Sequence, residues 1–163
     1  MAKTYRVTFF VRLSNKIVEL LLRAGVKITP KRSMPMILLT VRGRKSGQPR
    51  TTPVVLVEQD GRRLLVGSFG QVNWVRNLRA AGEATLTRGR RSEAISVVEL
   101  PSEEAAPLLK QILSTAPGFI SAYFDVTPDS PLEDFVREAP RHPLFEVYAR
   151  APEGQASKEE AVR

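Results

Sequence analysis

The feature that most constrains the fold is Asp60-Gly61, set between two runs rich in β-formers, Thr51 to Val57 and Arg63 to Gly67. A two-residue Asp-Gly step between such runs predicts a tight hairpin, because both residues tolerate the positive backbone angles that match strand twist. The same alternation recurs on either side. Met36 to Val41 is a short apolar run, Ala84 to Thr87 and Ala94 to Leu100 read as two strands joined across Arg88 to Arg91, and Leu144 to Ala149 is a last strand. About six strands in successive hairpins argue for an α+β fold with a mostly antiparallel sheet, closed or nearly closed into a small barrel.

Helical spacing appears at the start and between the strands. Phe10, Leu13, Ile17, Leu20, Leu21 and Ala24 recur at three-and-four spacing, with Arg12, Asn15, Lys16, Glu19 and Arg23 opposite and Gly25 as a stop. This amphipathic opening helix is expected to pack its apolar face on the domain's own core, with a lipid-surface or substrate-covering role as the alternative. Asn73 is expected to cap a short helix through Ala81, closed by Gly82, and Ser102 with Glu104 to open another reaching about Leu113. Pro117 to Val126 reads as a further segment, and Asp129 to Glu138 as an acidic, proline-containing loop. Residues 1–150 are expected to form one domain, and 151–163, small, polar and charged, a disordered tail.

The 163 residues hold no Cys and one His, which excludes a thiolate nucleophile and any Cys-based metal site and leaves no histidine cluster. Redox chemistry would therefore need a bound cofactor. Charged residues interrupt the opening apolar run, so no transmembrane span or signal peptide is expected and a cytoplasmic protein is the default. A formal charge of +8, from 25 Lys and Arg against 17 Asp and Glu, points to an anionic partner. The basic clusters lack interleaved aromatics, so nucleic acid is not expected.

That charge concentrates at Arg42-Gly43-Arg44-Lys45-Ser46-Gly47-Gln48-Pro49-Arg50, four cations and no acid between the first two strands. Such a loop suits phosphate or carboxylate, or is simply a solvated basic hairpin. It is not a P-loop, since the glycine spacing before Lys45 is wrong and no helix follows. Arg88, Arg90 and Arg91 crowd a hairpin expected to be an exposed tip, Trp74 reads as packing, and His142, between Arg141 and Pro143, reads as a loop residue.

LLTVRGRKSGQPRTTPVVLVEQDGRRLLVGSFG, then NWVRNLRAAGEATL and HPLFEVYA, resemble the deazaflavin-dependent nitroreductase family, collinearly from about Ile17 to Tyr148. The resemblance implies a split β-barrel and an oxidoreductase that uses reduced coenzyme F-420 to reduce a small electrophilic acceptor such as a quinone or nitro compound. An FMN-binding relative and a non-catalytic fatty-acid-binding barrel are the alternatives it leaves. It puts the coenzyme's phosphate and glutamyl tail against Arg44, Lys45, Ser46 and Arg50, and the ring beside Val66, Gly67 and Ser68. Asn77 matches the family's Asn-Leu pair and is a further binding candidate. Tyr123 falls in the segment that faces the acceptor and is the candidate catalytic proton donor, with an aromatic face of core or pocket wall, shared with Phe119 and Phe124, as the alternative. Phe69 to Val72 is shorter than the turn in many members, and Phe69 stands where many carry a polar side chain. Peripheral membrane contact through the opening helix and a homodimer are further expectations.

Overall fold

The structure is a computed structural model and describes residues 9–28 and 34–151. Its centre is a closed six-stranded antiparallel barrel in the order β1-β2-β3-β6-β5-β4, with β1 Met36–Arg42, β2 Pro49–Gln59, β3 Arg62–Val66, β4 Glu83–Arg88, β5 Arg91–Glu99 and β6 Leu144–Ala149. Closure leaves no strand edge unpaired, which removes the main aggregation hazard of an isolated sheet. The Asp60-Gly61 turn forms as expected: Gln59 pairs with Arg62, and the two turn residues carry φ of 51° and 75°. β2 runs further at both ends than its Thr- and Val-rich centre suggested.

Two apolar cores flank the barrel wall, and strand alternation divides residues between them. Val54 and Leu56 of β2 point inward with Ile37, Leu39, Leu65, Ile95 and Phe145, whereas Val55 and Val57 join the outer cluster. Helix α2, Asn73–Ala81, stops one end of the barrel with Val75 and Leu78, both fully buried. Trp74 packs on the same inner cluster, its ring 6.4 Å from that of Phe145, in the packing role expected of it. Asn73 is the first helical residue and not the cap; Val72 occupies that position with no side-chain bond, and Gly82 closes the helix.

Helices α3, Ser102–Thr115, and α5, Leu132–Glu138, pack on the outer face of β2, β3 and β6, burying Leu109, Leu113 and Phe135 over Val57, Leu64 and Leu144. Ser102 does not cap α3; Pro101 precedes it in extended conformation. The segment after α3 is helical for one turn only, α4 at Gly118–Ser121. The acidic stretch expected to be loop contains α5, because Phe135 and Val136 give it an apolar side to bury and Pro131 supplies its start.

The largest correction concerns α1, Phe9–Arg23. It lies against β1 and β2 with Leu22 and Glu19 buried, while the face expected to pack on the core stays in solvent: Leu13 is 47%, Ile17 52%, Leu20 68% and Leu21 40% exposed. Glu19 is buried with its charge met by Lys16 at 3.2 Å and Arg23 at 2.9 Å, so the helix docks through a narrow, partly polar stripe. The side chain of Phe10 and the expected tail at 152–163 lie outside the described residues. No helix among the described residues is long and apolar enough to cross a membrane.

Candidate functional site

The basic loop between β1 and β2 is held from within and from α2. Gly43 N–H donates to the Gln48 carbonyl and Gly47 N–H to the Gly43 carbonyl, both at 2.8 Å, folding residues 43–48 back on themselves. Asn77, 6% exposed on α2, accepts from the Arg44 backbone N–H at 3.2 Å and from its guanidinium at 2.9 Å. That pair ties the loop to the helix stopping the barrel. Asn77 therefore acts on the loop, with its one described acceptor atom taken by Arg44. Ser46 Oγ accepts from the Gln48 amide at 3.3 Å, and Lys45, Ser46 and Arg50 are exposed.

Several arginines elsewhere are paired with carboxylates, whereas among the described residues those of this loop, like Arg88, Arg90 and Arg91 of the β4–β5 hairpin, are not. Arg62 is paired with Glu146, Arg63 with Glu93, Arg79 with Glu99 and Arg141 with Asp125. Among the described residues no carboxylate lies within salt-bridge distance of Arg42, Arg44, Lys45 or Arg50. Beside the loop, an open groove of about 690 Å³ runs over the outer faces of β1, β4 and β5, floored by Thr40, Thr85 and Ala94 and walled by Arg42, Arg44 and Arg150. Arg150 is paired with Glu83 at its edge. Clustered charge with no carboxylate partner among the described residues, next to a groove of ligand size, fits an extended anion bearing phosphate and carboxylates.

The second cluster of expected residues lies where β3 ends. Val66 joins the outer cluster, Gly67 is buried, and Ser68 is half-buried. A Cβ on Gly67 would sit 3.1 Å from Pro143 Cδ and 3.2 Å from both the Gly70 carbonyl and Val75 Cγ2, so the chain needs glycine there for close packing. Phe69 meets Tyr123 edge to face at 4.9 Å and 83°, and the half-buried Tyr123 packs on the outer cluster. The structure thus brings Tyr123 to the turn that follows Ser68. Val66, Gly67, Ser68 and Tyr123 do not line the groove beside the basic loop. The two clusters share the barrel end that α2 stops, and the outward row of β2, Thr51, Pro53 and Val55, runs between them.

His142 corrects the reading of it as a plain loop residue. It is 3% exposed, stacked on Phe124 at 3.8 Å and paired with the buried Glu138, directly behind Gly67. A lone histidine between Arg141 and Pro143 carries no periodic signal, and Glu138 lay in a segment read as loop. The arginines of the β4–β5 hairpin, Arg88, Arg90 and Arg91, are exposed as expected.

Comparison with known proteins gives the family. A solved F420-H2 dependent reductase is 23% identical over 72% of this chain and 95% of its own, with a TM-score of 0.48. A structure described as a domain-swapped dimer is 23% identical, covering 85% and 97%, at 0.51, and a protein of unknown function from Agrobacterium tumefaciens is 13% identical, covering 92% and 60%, at 0.50. The latter two share the fold. Residues 13–131, well over half the chain, match the model of the F420H2-dependent quinone reductase family. The chain belongs to the F420H2-dependent quinone reductase family and is an oxidoreductase whose cofactor is the deazaflavin coenzyme F-420.

Proposed function

We propose that the chain reduces a quinone, with Arg44, Lys45, Ser46 and Arg50 holding the coenzyme's phosphate and carboxylate tail and Val66, Gly67 and Ser68 lying beside its ring. The observation that carries this reading is the cluster of loop cations, without carboxylate partners among the described residues, tied to α2 by Arg44 and Asn77. Bound reduced deazaflavin supplies the hydride. The protein's part is to orient and to shield: the loop cations neutralise the tail and Phe69 supplies an apolar wall. Tyr123 is the candidate proton donor to the acceptor, its ring held by Phe69.

Lys45→Ala and Arg50→Ala test the tail site. Both side chains are exposed, so folding should be unchanged within about 0.5 kcal/mol. Coenzyme affinity, followed by fluorescence titration, should fall about tenfold for each, and added salt should weaken the wild type more than the variants. Wild-type affinity in both variants would put the tail elsewhere.

The exposed row Leu13, Ile17, Leu20 and Leu21 supports a finer reading, peripheral contact with an anionic lipid surface where quinones dissolve. Arg12 and Arg23 flank that row. Ile17→Glu with Leu20→Glu should abolish cosedimentation with vesicles containing acidic lipid without lowering the melting temperature; unchanged cosedimentation refutes the contact. For assembly, the structurally similar domain-swapped dimer and the exposed Val98 and Tyr148, neighbours on the outer face of β5 and β6, support a homodimer. Light scattering that returned the mass of one chain would exclude it.

A further inference from the structure

The turn after β3 rests on a buried Glu138–His142 pair. Glu138 and His142 are 5% and 3% exposed. The imidazole has Nε2 at 3.1 Å from Glu138 Oε1 and Nδ1 at 3.3 Å from the Gly67 carbonyl oxygen. Glu138 also accepts from the backbone N–H of Asp125 at 3.0 Å and from Arg141 at 3.3 Å, and Arg141 in turn pairs with Asp125.

A neutral imidazole has one N–H and one bare nitrogen. Here both nitrogens face acceptors, a carboxylate on one side and a carbonyl on the other. The neutral ring gives its proton to Glu138, the stronger acceptor, and meets Gly67 without one. Only the protonated ring donates to both. The Gly67 carbonyl begins the turn, accepting from Gly70 N–H at 2.8 Å, while Gly67 N–H donates to the Pro143 carbonyl at 2.8 Å. Phe69, inside that turn, is the residue that meets Tyr123.

We propose that His142 is a positioning residue: held by Glu138, its Nδ1–H when protonated draws in the Gly67 carbonyl, tightens the turn Gly67 to Gly70 and sets Phe69 against Tyr123 beside the deazaflavin ring. The proposal rests on the ring placement given above and adds to it a proton-dependent support from behind. The groups facing the imidazole are Glu138 on α5, Arg141 beside it, the Gly67 carbonyl and the Phe124 ring. Burial, the largest influence, disfavours the charged ring; Glu138 and Gly67 favour it, Arg141 opposes it, and the balance lies below the ordinary histidine value of 6.5. The tightened form is therefore reached on the acid side of that value.

His142 is the only histidine, so in tag-free protein its imidazole proton resonance reports its titration unambiguously. In the coenzyme-free wild type the midpoint should fall below 6.5, and the amide resonances of Gly67, Ser68 and Gly70 should move with the same midpoint. His142→Phe keeps a ring against Phe124 and should abolish that amide titration; in the wild type kcat should change about threefold across the midpoint, and in the variant not at all. Saturating coenzyme F-420 should shift the His142 midpoint by about half a unit or more, because a ligand beside the turn is linked to its proton. Amides that ignore the His142 titration would overturn the support itself, and the wild-type measurement decides this even if the variant fails to fold. Amides that follow it, with a midpoint indifferent to coenzyme, would instead overturn the ring placement and the positioning role with it.

Discussion

Asn77→Ala separates a residue that touches ligand from one that organises the loop that does. The substitution removes one hydrogen bond from the Arg44 backbone N–H and one from its guanidinium. A neutral bond of this kind contributes about 1 kcal/mol, and the charged one adds no more than about 1 kcal/mol because Arg44 is exposed and its freed guanidinium returns to water. The expected loss is thus about 1–2 kcal/mol, a fall in melting temperature of roughly 2–8 °C for a chain of this length. The loop also loses its tie to α2, and ordering one freed residue on binding costs about 1–2 kcal/mol, which predicts roughly tenfold weaker coenzyme binding. The assay is a double-mutant cycle: fluorescence titrations of coenzyme into wild type, Asn77→Ala, Arg44→Ala and the double variant. If Asn77 acts through Arg44, the two losses should overlap by about 1 kcal/mol. Strictly additive losses would refute the clamp and return Asn77 to direct ligand contact.

Three further outcomes follow from the geometry. Tyr123→Phe keeps the edge-to-face contact with Phe69 and should lower turnover of a quinone about tenfold with coenzyme affinity unchanged; unchanged turnover removes Tyr123 from proton donation. Gly67→Ala forces a methyl against Pro143 and Val75 and should cost about 1–3 kcal/mol by chemical denaturation, with a near-neutral result showing that the turn yields freely. Arg62 holds the Glu146 carboxyl below its ordinary value of 4.5, and Arg63 does the same for Glu93. For a carboxylate depressed by folding, the stabilisation is complete above the ordinary value and is lost as pH falls through the folded one. Melting temperature should therefore drop below pH 4.5, less steeply in Glu146→Gln, and an identical acid profile in that variant would discount the pair.

The barrel was legible in the sequence because its signals are local. Alternation at Thr51 to Val57, the Asp60-Gly61 turn and the apolar run at Met36 depend on residues that are neighbours in the chain, and each appears within a residue or two of its expected place. The basic loop was equally plain, since four cations without an acid are visible as composition. What the sequence could not reveal was which partner each residue would meet. The apolar row of α1 predicted a buried face, but burial depends on the surface opposite, and the outer face of β1 and β2 receives the stripe of Glu19 and Leu22 instead. Asn77 and Arg44 are 33 residues apart, and His142 and Gly67 are 75 apart, so no spacing rule links either pair. The sequence determined the strands, the turns and the charge offered to an anionic cofactor. Only barrel closure decided that α2 would tie down the basic loop and that a buried imidazole would stand behind the turn at Gly67, because both depend on long-range packing that brings distant segments to one end of the barrel.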